Sequence, residues 1–382
     1  MDQKIHSFFS PNRVLFGIGA SREIGREATA LGGTKVLMVS DPGVVNSGLV
    51  ASLRTNLEEG GMKVFLFDRV EPEPSASLVD ESAQLAKEKG VDIIIGVGGG
   101  SSLDIAKGAS LLASNPGNVL DYCGMDLIPK RGLPKILVPT TAGTGSEITR
   151  VFVLTDKRDN MKKVVFSNYA IPEVALVDPM LTLSMPSKVT ADTGMDALVH
   201  AIETYVSMNA TPFSDLLASK AIELIAKYLP MAFAKGENIE ARYQMSLASL
   251  LAGMAFASGG LGAVHALAYP LGTEYHLPHG RTNAIMLPHV MEFNLIGNRS
   301  RYALIAEMMG IIDLKAGGAR AVEAVIQLLD DVQIPYHLKD YGIPKEAIPK
   351  LVEGGMKQAR LFVPNPRDLR EKDVEAIYTK AW

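Results

Sequence analysis

The stretch VDIIIGVGGGSSLDIAKGASLL, residues 91–112, does most to limit the folds open to this chain. Its first seven residues form a short, continuous apolar run, which suits a strand buried on both faces. The run leads into Gly98, Gly99, Gly100, Ser101 and Ser102, which open a helix carrying Asp104 and Lys107. A strand covered on both faces implies a parallel sheet wrapped by helices through right-handed crossovers. Other segments repeat the theme: TKVLMVS (34–40), MKVFLFD (62–68), KILVP (135–139) and VALVD (174–178) are compact apolar runs. The first ends at Asp41-Pro42-Gly43, which is turn chemistry. ASLVDESAQLAKEKG has apolar residues at helical spacing and closes on glycine, a helix stop. ITRVFVLTD and KVVFSN, split by a polar turn, read as a hairpin beside the sheet.

From Met185 the texture changes to long Ala- and Leu-rich segments of helical period, such as SKVTADTGMDALVHAIETYVS and ARYQMSLASLLAGMAFAS. The expected organisation is an α/β domain with a parallel sheet over residues 1–185, followed by an all-α domain over 186–382.

Composition narrows the partners. The chain has 382 residues, 47% hydrophobic and 21% charged, a globular balance rather than a disordered one. Its formal charge of -4 gives no electrostatic footprint for nucleic acid. No apolar run reaches membrane-spanning length and the N-terminus lacks a signal pattern, so no membrane partner is expected. With Cys123 as the only cysteine, no internal disulfide can form, and a reducing, cytoplasmic setting is the natural expectation.

The glycine loop has a physical use. Glycines admit a phosphate close to the backbone, and the N–H groups of a helix start bind the anion. Asp41, at the end of an earlier strand, can accept from a ribose hydroxyl and repel a 2′-phosphate. A second Gly/Thr-rich loop, PTTAGTGSE (139–147), follows another apolar strand. Either loop alone is also what a tight strand-to-helix turn looks like. Two such loops with a strand-end acid fit a dinucleotide better than a mononucleotide.

The second half carries the metal chemistry. Of seven histidines, His265, His276, His279 and His289 fall within 25 residues, where uniform scatter would place fewer than one. His200 follows Asp196 by four residues, so on a helix the two share a face. Alone, such a pair is more often a surface hydrogen bond or a helix pair. With the cluster, Asp196, His200, His265 and His279 make a ligand set of one carboxylate and three imidazoles, suited to Fe(II), Zn(II), Mn(II) or Co(II). HALAYPLG reads as a helix stopped by Pro270, and LPHG places His279 in a loop. His276 is expected in a polar loop, His289 closing a turn before a helix, and His6 and His337 at the surface.

GGGSSLDIAK, PTTAGTGSE, TGMDALVHAIE and GLGAVHALAYPLGTEYHLPHGRTNAIMLPHVMEFN resemble the motifs of the iron-containing (group III, metal-dependent) alcohol dehydrogenase family. The likeness runs from FFSPNRVLFG to DVEAIYTKAW and leans towards the lactaldehyde reductase and 1,3-propanediol dehydrogenase branch. It implies a Rossmann-like dinucleotide-binding domain over 1–185, a metal-binding and catalytic domain over 186–382 and a cleft between them, with Fe(II) (Zn(II) as the other candidate) on Asp196, His200, His265 and His279, and NAD as cosubstrate. It also implies cofactor contacts at Asp41, the 98–102 loop, Thr140, Thr141, Thr149, Val151, Lys162 and Leu181. The activity implied is hydride transfer between a small primary alcohol, or its aldehyde, and NAD(H) in a homodimer or larger homo-oligomer. A polyol or hydroxyacid dehydrogenase, or a hydroxyacid–oxoacid transhydrogenase, is the alternative within the superfamily. A nucleotide-binding subunit without catalysis is the alternative outside it, and the intact ligand set argues against that. Many relatives carry a second histidine in an HxxxHP pattern; here Tyr269 stands in that place, so Tyr269 and His276 become the candidates for proton relay. Arg281 also departs from the small apolar residue common after the His-Gly pair.

Overall fold

The computed structural model describes residues 5–159, 161–311 and 317–382. They divide into two units, Phe9–Ser184 and Met185–Trp382, the second joined by the N-terminal segment through Phe8. That segment was expected with the α/β residues. The Phe8 ring instead lies 5.8 Å from that of Phe213, an aromatic contact that draws it to the helical unit.

In the first unit, the strands are β1 (Arg13–Phe16), β2 (Lys35–Val39), β3 (Lys63–Phe67), β4 (Ile93–Gly98), β5 (Gly124–Met125), β6 (Lys135–Pro139), β7 (Val151–Asp156), β8 (Met161–Phe166) and β9 (Val174–Val177). Its helices are α1 (Ile24–Ala30), α2 (Pro42–Asn46), α3 (Leu49–Glu59), α4 (Ala76–Lys89) and α5 (Gly100–Ser114). Six strands form one sheet in the order β1-β9-β6-β4-β2-β3, every pairing parallel. Alternation along the strands explains why both faces are covered. Leu37, Val39, Ile94 and Leu137 join α4 and α5 residues such as Val79, Ile105 and Leu111 in one buried cluster. Val36, Met38, Ile93, Ile95 and Val138 join Ile24, Ala28, Leu53 and Leu57 of α1 and α3 in the other. Each such aliphatic side chain contributes roughly 1.5–3 kcal/mol on burial, which is why runs of β-branched residues suffice here without disulfides. β7 and β8 form the expected antiparallel hairpin, in a separate small sheet that β5 completes.

The helical unit comprises α6 (Ser187–Val206), α7 (Pro212–Ala234), α8 (Ile239–Gly259), α9 (Ala263–Tyr275), α10 (His279–Asn294), α11 (Arg299–Met308), α12 (Ala319–Asp331), α13 (Ile348–Met356) and α14 (Glu371–Ala381). Local chemistry sets its ends. Thr211 and Ser214 form a reciprocal cap at the start of α7, with Pro212 just inside. Pro270 does not stop α9: the helix runs five residues further, and the buried proline ring lies against Gly354. Packing there outweighs the lost N–H, a cost that sequence spacing alone makes look prohibitive. Among the described residues no single helix is long and apolar enough to cross a membrane.

Candidate functional site

Three helices of the second unit supply one polar cluster. Asp196 and His200 stand one turn apart on α6, where 16 of 20 residues are buried. His265 lies in the first turn of α9, and His279 opens α10 rather than sitting in a loop as expected, because Pro278 caps that helix. Ligating atoms of Asp196, His265 and His279 all fall within 4.8 Å of one another. His200 adjoins them: its Nε2 is 3.9 Å from Asp196 Oδ1, and its ring stacks on His265 at 5.0 Å. Asp196, His200 and His265 are buried, whereas the His279 side chain is 38% exposed, so one side of the cluster is open to a small molecule.

The electrostatics suit a cation. Burial raises the Asp196 carboxyl, but the His200, His279 and His265 rings and the Asn283 amide around it together hold it below its usual range. Burial pulls His200 down to about 4, so it offers a neutral imidazole, the form that ligates metals. Asn283, one turn after His279 on α10, directs Nδ2 at three acceptors: Asp196 Oδ1 at 2.7 Å and His265 Nε2 and His279 Nε2 at 3.2 Å each. An amide has only two hydrogens for them. Asn283 Oδ1 and His200 Nδ1 are buried without a hydrogen-bond partner. One carboxylate, three imidazoles and unsaturated polar atoms fit a divalent transition ion such as Fe(II) or Zn(II).

Several members of this region were not foreseen from sequence. Glu203 accepts from His265 Nδ1 at 2.6 Å, although a glutamate late in a helix ordinarily reads as a surface residue. Its i+7 spacing from Asp196 was the available signal, as was the i+4 spacing of Asn283 from His279. Arg281 turns to Asp192, at 2.5 Å, and to the Tyr341 hydroxyl. It ties α10 to α6 where Gly280 lets the two approach; a Cβ there would overlap the Asp192 carbonyl.

The remaining aromatic candidates scatter. Tyr269, one turn after His265, stacks on His279. His276 is exposed and caps the C-terminus of α9 with φ of 54°. His289 is not at a turn but inside α10, bonded to the Tyr336 carbonyl at 2.9 Å, because the helix continues through Pro288. His6 and His337, expected at the surface, are half-buried; the His337 ring lies 5.8 Å from that of His289.

The first unit gathers the glycine loops at the C-terminal ends of β4 and β6. Gly98 has φ of +149°, and a Cβ there would fall 2.6 Å from Ser102 Oγ, so the loop needs glycine. Gly99 caps α5, whose first-turn N–H groups at Gly100, Ser101 and Ser102 have no partner within the helix. Asp41 accepts from Val44 N–H as the cap of α2 and from Ser102 Oγ at 3.2 Å, which joins it to the loop. Thr140 N–H donates to the Gly98 carbonyl at 2.9 Å, and Thr141 lies beside Gly99. Thr149 and Val151 meet elsewhere, on buried Lys107, whose Nζ donates to Thr149 Oγ1, Ser146 Oγ and the Val151 carbonyl. Lys162 is held by Thr155 and Glu73, and Leu181 is buried in the core cluster under the sheet.

Residues 11–179 match the family described as "Iron-containing alcohol dehydrogenase", and residues 190–382 match "Fe-containing alcohol dehydrogenase family, C-terminal". The 1,3-propanediol dehydrogenase of Citrobacter freundii is 40% identical over 388 aligned positions, covering all of both chains. A crystal structure of 1,3-propanediol oxidoreductase superposes with a TM-score of 0.96 at 40% identity, covering 99% of this chain and 100% of that one. Sulfoacetaldehyde reductase from Bifidobacterium kashiwanohense, solved with NAD+, gives 0.91 at 32% identity, covering 99% of each.

Proposed function

The chain belongs to the iron-containing alcohol dehydrogenase family, and from that premise we propose which of its own residues carry the reaction. It is an NAD-linked, iron-type oxidoreductase that interconverts small alcohols and their aldehydes. Asp196, His200, His265 and His279 would hold the divalent ion. Once bound, that ion supplies a Lewis acid that lowers the pKa of an alcohol oxygen. The convergence of Asp196, His265 and His279 within 4.8 Å is the observation that carries this assignment.

The protein's own share is position and charge. Asp196 offsets cationic charge, neutral His200 and buried His265 close one side, and His279 leaves the substrate side open. Tyr269, against His279, passes the alcohol proton onward, and His276, exposed at the end of α9, is the second candidate for proton transfer. The open N–H groups of α5 take the cofactor pyrophosphate, and Asp41 takes a ribose hydroxyl. Thr140 and Thr141 line the same loop pair; Thr149, Val151, Lys162 and Leu181 complete the cofactor-binding set.

The substrate is a primary alcohol or aldehyde of the kind its relatives' names carry, 1,3-propanediol and sulfoacetaldehyde among them. Self-association into a homodimer or larger assembly goes with this reading, as does a cytoplasmic setting, which a lone half-buried cysteine supports. The test is steady-state NADH formation by Fe(II)-loaded protein across an alcohol panel, with NAD+ reduction expected for at least one short diol or alcohol. Turnover only when an oxoacid acceptor is supplied, with no free NADH, would replace it with a transhydrogenase.

A further inference from the structure

We propose that Glu203 is a positioning residue of the metal centre, fixing His265 as the tautomer whose Nε2 faces the ion and adding a second buried negative charge beside Asp196. This rests on the ligand set proposed above. Asp196, His200 and Glu203 occupy positions i, i+4 and i+7 of α6, so one helix face carries all three. Both Glu203 oxygens are committed: Oε2 to His265 Nδ1 at 2.6 Å, and Oε1 to the Val264 N–H, also at 2.6 Å. Those partners are consecutive residues in the first turn of α9, where the free N–H groups and the helix dipole favour an anion.

A carboxylate accepts and does not donate, so the proton of the shared hydrogen bond sits on His265 Nδ1. The Nε2 lone pair is left on the side of Asp196, His279 and Asn283, the last 3.2 Å away. Glu203 and His265 are both buried, at 6% and 1% exposure, so water does not compete for the bond. Charge points the same way. A divalent ion held by Asp196 and three neutral imidazoles keeps one uncompensated positive charge, and Glu203 balances it at one remove. Removing the carboxylate of such a carboxylate–imidazole–metal relay typically costs about 10- to 100-fold in metal affinity.

The experiment is Co(II) titration of chelator-stripped wild type, Glu203→Gln and Glu203→Asp, read by the visible absorption of the bound ion and by thermal melting of the apo proteins. Glu203→Gln should bind Co(II) about 10- to 100-fold more weakly with an altered band, and Glu203→Asp should recover part of the loss. Wild-type affinity and spectrum in Glu203→Gln, with only a lower apo melting temperature, would reduce Glu203 to a helix cap and overturn the proposal. Should Glu203→Gln fail to fold, histidine-selective nitrogen labelling of metal-free wild type at mildly alkaline pH gives the answer. His265, assigned by its loss in His265→Ala, should be protonated on Nδ1; protonation on Nε2 overturns the proposal. Co(II) binding by His265→Ala and His279→Ala tests the ligand set separately, so the two failures are distinguishable.

Discussion

The rings of Tyr269 and His279 are stacked, with centroids 5.7 Å apart and planes 21° apart. α9 places Tyr269 one turn beyond His265, so the phenol covers the most exposed member of the proposed ligand set. A phenol ordinarily titrates near pH ~10, well above an imidazole. Alcohol oxidation that sheds its proton through Tyr269 should therefore favour alkaline pH. Tyr269→Phe keeps the stack and removes only the hydroxyl, so its metal content should stay at the wild-type level while the rate falls roughly 10-fold or more. Tyr269→His should move the pH optimum towards neutral. Superimposable pH–rate profiles for all three proteins would make Tyr269 a wall of the site and nothing more.

His279 tests the ligand assignment from the other side. It is the first residue of α10, and the residue one turn on that reaches the cluster, Asn283, offers only an amide in place of an imidazole. His279→Ala should lose metal and activity together, while the melting temperature of the apo protein changes little because the side chain is partly exposed. Elemental analysis after reconstitution checks this, and full occupancy would remove His279 from the set. Inactivation in air that Fe(II) reverses and Zn(II) does not would identify iron as the working ion.

What was legible in the sequence is local. The run at 93–97 announces its strand because a strand covered on both faces favours apolar residues, and β4 is buried throughout. The Asp196–His200 spacing shows itself because helical period places both on one face. Glu203 and His265 are 62 residues apart, and their bond exists only once α6 and α9 pack, so nothing in either neighbourhood announces it. Pro270 shows the converse: local chemistry says stop, while its burial against α13 says continue. Lys107 was visible as a lysine in the α5 motif. Its three acceptors come from residues 146–151, some forty positions on, and only the fold reveals that it joins the helix of one glycine loop to the end of the other.

Asp41 carries two duties that different substitutions separate. It caps α2 through Val44 N–H, and it reaches Ser102 at the edge of the glycine loop. Asp41→Asn keeps a capping side chain and removes the charge; Asp41→Gly removes both. If the charge repels a 2′-phosphate, both variants should narrow the gap in kcat/KM between NAD and NADP, by ~10-fold or more. Only Asp41→Gly should also show a loss of stability, of a few tenths of a kcal/mol given how well glycine serves at a cap. Equal use of both cofactors by the wild type would refute this role.

The last prediction concerns pH and the buried charges under the second glycine loop. Burial pushes the Glu147 carboxyl up to about 7, with the Lys107 ammonium drawing it partly back. Burial likewise pulls Lys107 down to about 8, against the pull of Asp104 and Glu147. The two shifts have opposite consequences for stability. A carboxyl raised in the fold binds its proton more tightly there than in the unfolded chain. Glu147 therefore contributes stability at acid pH that is lost as pH rises from its ordinary value of 4.5 to about 7. An amine lowered in the fold does the reverse, and stability present at high pH is lost as pH falls from 10.5 to about 8. Both groups are charged in the interval between, and there the pair weakens the fold most. Glu147→Gln mimics the protonated carboxyl at every pH. It should match the wild type near pH ~5 and exceed it at pH ~8 by on the order of 1–3 kcal/mol, read from denaturant midpoints at the two pH values. A stability difference that does not change between them would mean that Glu147 titrates at its ordinary value. The buried Lys107 would then be answered by Asp104, 3.8 Å away, and by its three oxygen acceptors.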